Sequence, residues 1–289
     1  MDRRIRRWIL ALGLLGCLNA QAASPVWAIH GEHNTVYLAG SVHLLKADDA
    51  GLPSAFDLAY SHSRKLVMEI DLGNLNPLDA AGWMMEHGML PGGTTLRERI
   101  GDARYQRVAG EASRLGMPAQ LLGQFQPWVI GMQLLQMQYQ QLGFEADAGV
   151  EQQLEHRAQA DGKPVSGLET VAEQLAVLGG LSDDDQARFL DMIVGQLHDV
   201  GSDTQTVITA WRTGNAARLA GLLGDEYKSF PVLYRSLVSD RNRRWMPKIE
   251  QLLQEDQDAF VVVGALHLVG DGGLLELARR DGYRPEQLN

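Results

Sequence analysis

The sequence runs to 289 residues, with 36 acidic against 26 basic side chains, a net charge of −10 and a single cysteine, Cys17. An acidic surface of this kind repels nucleic acid and anionic lipid, which excludes both as expected partners. One cysteine permits no internal disulfide, so stability rests on burying part of the 45% of residues that are hydrophobic.

Residues 1–22 stand apart from the rest. They combine four arginines, a leucine-rich run from Trp8 to Leu18 and a small-residue exit at Ala20-Gln21-Ala22, the layout of a signal peptide cleaved near Ala22. The apolar run is shorter than the ~20 residues a permanent span needs, so no stable membrane span is expected. The implied location is periplasmic or secreted. Leu14-Leu15-Gly16-Cys17 supports an alternative lipoprotein reading through Cys17, and the arginine pair before Trp8 loosely resembles a twin-arginine signal. Removing this segment takes away four Arg and one Asp, which leaves 22 basic and 35 acidic side chains, a net charge near −13 and no thiol nucleophile.

The remainder reads as one domain, 23–289, without a low-complexity linker. Residues 24–75 are β-rich: VWAIHGEHNTVYLAGSVHLL predicts a hairpin turning at Gly31-Glu32-His33-Asn34, followed by a helix near 53–63. KLVMEID, residues 65–71, predicts a buried strand with Glu69 and Asp71 on one face. From about 77 to 255, Leu, Met, Ala and Gln recur at helical spacing, which predicts a large helical insertion interrupted by one strand at 163–167. Ser182 is an expected N-cap ahead of three aspartates. A helix is expected to follow Trp245-Met246-Pro247, then the strand AFVVVG and a last helix over 273–281, so that residues 256–289 pack with 24–75. The expected class is α/β, with α+β as the alternative.

Two strands end in the same signature, Gly40-Ser41-Val42-His43 and Gly264-Ala265-Leu266-His267. A strand-end histidine bonded to a backbone carbonyl explains either copy alone. Glu69 at the end of a third strand adds a carboxylate that needs a partner, because burying it bare is costly. Two imidazoles and a carboxylate at one sheet edge suit a divalent metal. The same groups also suit metal-free work, with a histidine or Glu69 as general base and the second histidine on the oxyanion.

The paired Gly-x-x-His motifs, VMEID, GKPVSGLET, Arg241-Asn242 and FVVVGALHLVGDGGLLELARRDGY together resemble the TraB/GumN family, related to the Tiki metalloproteases. The resemblance covers residues 26–288. It implies an erythromycin-esterase-like or ChaN-like fold of two β-rich βαβ-type halves, which form a central sheet around a helical insertion. It also implies a metal-linked catalytic set of His43, His267 and Glu69, with Arg241 carried in the helix before the last strand. The function so implied is an exported, metal-dependent, peptidase-like hydrolase with Mn, Co or Zn as cofactor and a peptide or small molecule as substrate. The alternatives are a non-catalytic binder of a peptide, pheromone or metal, and a metal-independent esterase-like hydrolase. The sequence departs from the family pattern at Gly149-Val150-Glu151, where many members have Gly-x-Asp, which leaves the role of that acid open.

Arg241 is expected to clamp a carboxylate or oxyanion, with Asn242 beside it and Glu169 as a third acid, or else as a helix N-terminal charge. Arg243 and Arg244 read as a solvated face, and His30, His33, His62, His87, His156 and His198 as surface or turn residues. There is no nucleophile elbow, HExxH helix or phosphate loop.

Overall fold

The computed structural model of the chain describes residues 23–289. The expected leader at 1–22, with Cys17, lies outside the described residues. Among those described, no helix is long and apolar enough to cross a membrane.

Among the described residues, eight strands form two sheets: β1 (Val26–His30), β2 (Thr35–Ser41), β3 (Leu45–Lys46), β4 (Lys65–Met68), β5 (Phe144–Glu145), β6 (Val165–Gly167), β7 (Ala259–Gly264) and β8 (Glu286–Gln287). The main sheet has the order β6-β4-β7-β2-β1-β8, and β3 pairs with β5 in a small second sheet. The strands β6, β4, β7 and β2 are parallel, while β1 and β8 extend the sheet antiparallel. The hairpin turns where its Gly-Glu-His-Asn sequence predicts, with His30 opposite Thr35.

The two βαβ-type units are dovetailed rather than placed side by side. The first runs from β2 through the helix Ser54–His62 to β4, yet β7 lies between its two strands; the second runs from β6 through the helices to β7, with β4 between. Every residue of β7 is buried, as its unbroken apolar run requires of a central strand. The mixed α/β class is the one the sequence predicts.

Two apolar cores result. One packs around the sheet, where Phe56 meets Trp211 and Phe260 edge-on. The other lies within the helical insertion, around Ile130, Leu134, Phe189 and Leu190 on the helices Pro127–Gln141 and Asp183–Gln196. Ser182 caps the second of these by accepting from Asp185 N–H.

Two elements depart from expectation. Strand pairing of β4 with β7 stops at Met68, and Asp71 turns away to accept from the N–H and Nδ2 of Asn74, capping the turn that follows. Pro247 does not open a helix but sits on the exposed side inside Asp240–Leu253. That helix buries Arg241, Asn242, Trp245, Met246 and Ile249, and this face outweighs the one backbone bond that proline removes.

Two contacts fix the end of β2. Trp211, fully buried on the helix Val200–Arg212, donates Nε1–H to the Gly40 carbonyl at 2.6 Å. Gly149 opens the helix Val150–Asp161 against the backbone of His43, so closely that a Cβ at 149 would lie 2.1 Å from the His43 carbonyl oxygen. Trp211→Ala should lower stability by about 3–5 kcal/mol in urea unfolding. Trp211→Phe, which leaves the Gly40 carbonyl unpaired, should cost about 1–3 kcal/mol, and Gly149→Ala about the same through overpacking. Unchanged midpoints would show that neither contact holds β2.

Candidate functional site

The parallel strands deliver their polar residues to one edge. Beyond Met68 and Gly167 the chains stay paired for one more step, with Glu169 N–H donating to the Glu69 carbonyl at 2.8 Å, so the two acids leave the sheet side by side. Next to them β7 ends at Gly264 and a short helix, Ala265–Leu268, carries His267. Glu69, Glu169 and His267 are 6%, 7% and 5% exposed.

Both motif glycines have steric reasons. A Cβ at Gly40 would lie 3.1 Å from Ala265 Cα, so its absence lets the short helix seat against β2. A Cβ at Gly264 would lie 3.2 Å from His43 Nε2 and 3.3 Å from Glu69 Oε1, which means those two atoms flank one point above the glycine.

Arg241 ties the inner residues together. Its Nε–H reaches both Glu169 oxygens at 3.0 and 3.2 Å, and Nη2 reaches Glu169 Oε1 at 2.6 Å and Glu69 Oε2 at 2.5 Å. Nη1 donates to the Leu237 carbonyl at 3.0 Å and to His267 Nε2 at 2.9 Å. All five N–H groups of the guanidinium therefore have protein acceptors. Trp245 backs it, with the guanidinium carbon 4.5 Å from its ring centroid and the His267 ring at the same separation.

Asn242, with no exposed surface, sets the state of His267. Its Nδ2 donates to the carbonyls of His267 and Gly272 at 3.0 and 2.9 Å, so its Oδ1 must be the atom that accepts from His267 Nδ1–H at 2.7 Å. His267 is thereby neutral, with its Nε2 lone pair toward Arg241. Burial first, and then the Arg241 charge, lower its pKa to about 3 against the pull of Glu69.

Glu69 is the opposite case. Burial pushes its carboxyl up, but the charges of protonated His267, Arg241 and His43 and the Gly264 N–H outweigh that and hold it at about 2. Since His267 is neutral above about 3, Arg241 and His43 do this work at neutral pH. The carboxylate accepts from Gly264 N–H at 2.7 Å through Oε1, and from Gln174 Nε2 at 3.1 Å through Oε2.

His43 stands outside this cluster, its side chain 65% exposed. Its Nδ1 lies 2.7 Å from Glu151 Oε1, and Ser41 Oγ donates to the same oxygen. Glu151 raises the imidazole pKa to about 9, so His43 is a cation at neutral pH, with Nε2 beside Glu69.

The structure thus gathers His43, Glu69, Glu169, Arg241, Asn242 and His267 at one edge. Asn242 and Glu169 are buried and bonded inside the protein, and with Arg241 they position Glu69 and His267 instead of presenting polar atoms outward. Asp71 is not part of the group, and the other six histidines are exposed. Glu151, Ser41, Gln174 and Trp245 belong to the site although sequence reasoning did not place them there. For Glu151 the signal was present, because Gly149 two residues earlier is what lets the helix dock on His43.

A divalent cation, the cofactor the resemblance implies, would need lone pairs of His43, Glu69 and His267. Arg241 engages Glu69 Oε2 and His267 Nε2, and Gly264 N–H engages Glu69 Oε1. Among the described residues no group of three or more His, Cys, Asp or Glu converges in a way that could hold a metal ion. The donor set as arranged does not fit a cation.

The TraB/PrgY/gumN family model matches residues 25–287. The YbaP proteins of Escherichia coli (strain K12) and Shigella flexneri are each 28% identical over 243 residues, covering 84% of this chain and 87% of theirs. No solved structure matches. With a single family model spanning the whole sheet and every residue of the clustered site, the chain belongs to the TraB/PrgY/gumN family.

Proposed function

We propose that this chain is an exported hydrolase, acting on a peptide or small-molecule substrate by proton transfer at His43. The observation that carries the reading is the His43–Glu151 pair: an exposed imidazole, oriented through Nδ1, whose Nε2 shares the space above Gly264 with an ionised carboxylate. This arrangement suits a general acid. Glu151 keeps the ring protonated at neutral pH, Nε2–H is the proton available to a leaving oxygen or nitrogen, and the neutral ring that results takes back the proton released by the attacking water. Glu69, held at low basicity, is suited to orienting a water or a polar group of the substrate rather than to taking its proton. The inner Arg241 cluster keeps Glu69 in place while the chemistry proceeds beside it. Export rests on the composition of residues 1–22.

A panel of peptide and ester substrates tests this. Turnover by the wild type should fall by a factor of about 10²–10⁴ in His43→Ala. Because His43 acts as the acid, activity should be present at neutral pH and decline as pH rises through about 9. Glu151→Gln removes the charge that raises the imidazole, so its alkaline limb should move down toward the ordinary histidine value of about 6.5. Hydrolysis that persists at full rate without the His43 side chain would falsify the reading. So would a protein that binds members of the panel and turns over none of them.

A further inference from the structure

We infer that Arg241 is the resident cation of the site: its guanidinium occupies the donor atoms of Glu69, Glu169 and His267, and so it keeps metal out. The inference goes beyond the hydrolase reading and does not depend on it. Three side chains of the kind that hold Zn²⁺, Mn²⁺ or Co²⁺ each bond to this one guanidinium, namely Glu69, Glu169 and His267. All three are buried, so their lone pairs depend chiefly on protein donors.

His267 is in the state a metal ligand needs. Its Nδ1–H is fixed by Asn242 Oδ1, and its Nε2 lone pair faces the guanidinium. A second hydrogen bond of this type is how proteins orient ligating histidines. Here the group at Nε2 is the Arg241 Nη1–H.

The set differs from the one the family resemblance implies. Glu169 takes part, and His43 lies outside it, paired with Glu151. Removing the guanidinium would leave two buried carboxylates and an imidazole without their shared donor, a costly arrangement that closing in on a divalent cation would relieve.

The test is metal binding, read without turnover. Wild-type protein purified without chelator should carry no stoichiometric Mn, Co or Zn by elemental analysis, and should show no d–d absorption on Co²⁺ titration. Arg241→Ala should bind one Co²⁺ with visible absorption, on the order of 100-fold or more tighter than the wild type. In Arg241→Ala/Glu169→Gln that affinity should drop at least about tenfold.

If Arg241→Ala fails to fold, ¹⁵N-histidine spectra of the wild type decide the matter. His267 should remain the neutral Nδ1–H tautomer, with Nε2 unmoved by Zn²⁺; a Zn²⁺-dependent shift there overturns the inference. One equivalent of metal in the wild type that is lost in His267→Ala also overturns it, as does a folded Arg241→Ala with no gain in affinity. Either result leaves proton transfer at His43 standing. An inactive wild type that carries no metal would sink the hydrolase reading alone.

Discussion

The guanidinium of Arg241 donates every N–H it has to protein acceptors, and the arrangement of the site follows from that saturation. Two acids leaving adjacent parallel strands would repel each other if nothing stood between them. The arginine bridges them, and its planar fork reaches both carboxylates and an imidazole at once, which a lysine's single ammonium could not. Trp245 closes one side, so the bridge is buried as well as complete. A buried ion pair is weak grounds for added stability, because desolvation offsets much of the attraction. What the cluster supplies is position: Glu69 and His267 have little freedom to rotate.

The second tier is organised differently. His43 and Glu151 lie near the surface, their bond is a single contact, and among the described residues the imidazole keeps one nitrogen without a hydrogen-bond partner. Burial makes His267 lose its proton while a neighbouring carboxylate makes His43 keep one, and the two histidines of a duplicated motif therefore sit in opposite charge states. The repeat in sequence does not carry over to chemistry. The first copy places its histidine beyond the strand in a turn, and the second places it on a helix packed against Trp245.

Much of this was legible from the chain itself. The hairpin, the position of the helical insertion and the unbroken apolar run of β7 follow from periodicity and turn residues, and the paired Gly-x-x-His motifs with Glu69 point to one sheet edge. The insertion of β7 between β2 and β4 was not legible, because apolar runs do not record which neighbour a strand will choose. Nor was the path of the helix through Pro247, where tertiary burial of Arg241 and Trp245 overrides a local breaker. Glu151 showed only as a departure from a family pattern. Its side chain meets His43 because Gly149 lets the helix press against the carbonyl of His43, a contact between distant segments that the local sequence does not record.

The dovetailed sheet also bears on how the molecule is made. Its central strand comes from residues 259–264, and the outer edge is closed when Leu288 exchanges backbone bonds with Ser24 and Val26. Until those last residues are available, β2 and β4 have no common neighbour, and their apolar faces and strand edges stay open. Such long-range pairing slows folding and leaves the partly made sheet exposed to aggregation. The nascent chain therefore cannot commit to its native sheet early, and the helical insertion, whose contacts are more local and whose core is separate, is the part able to take shape first.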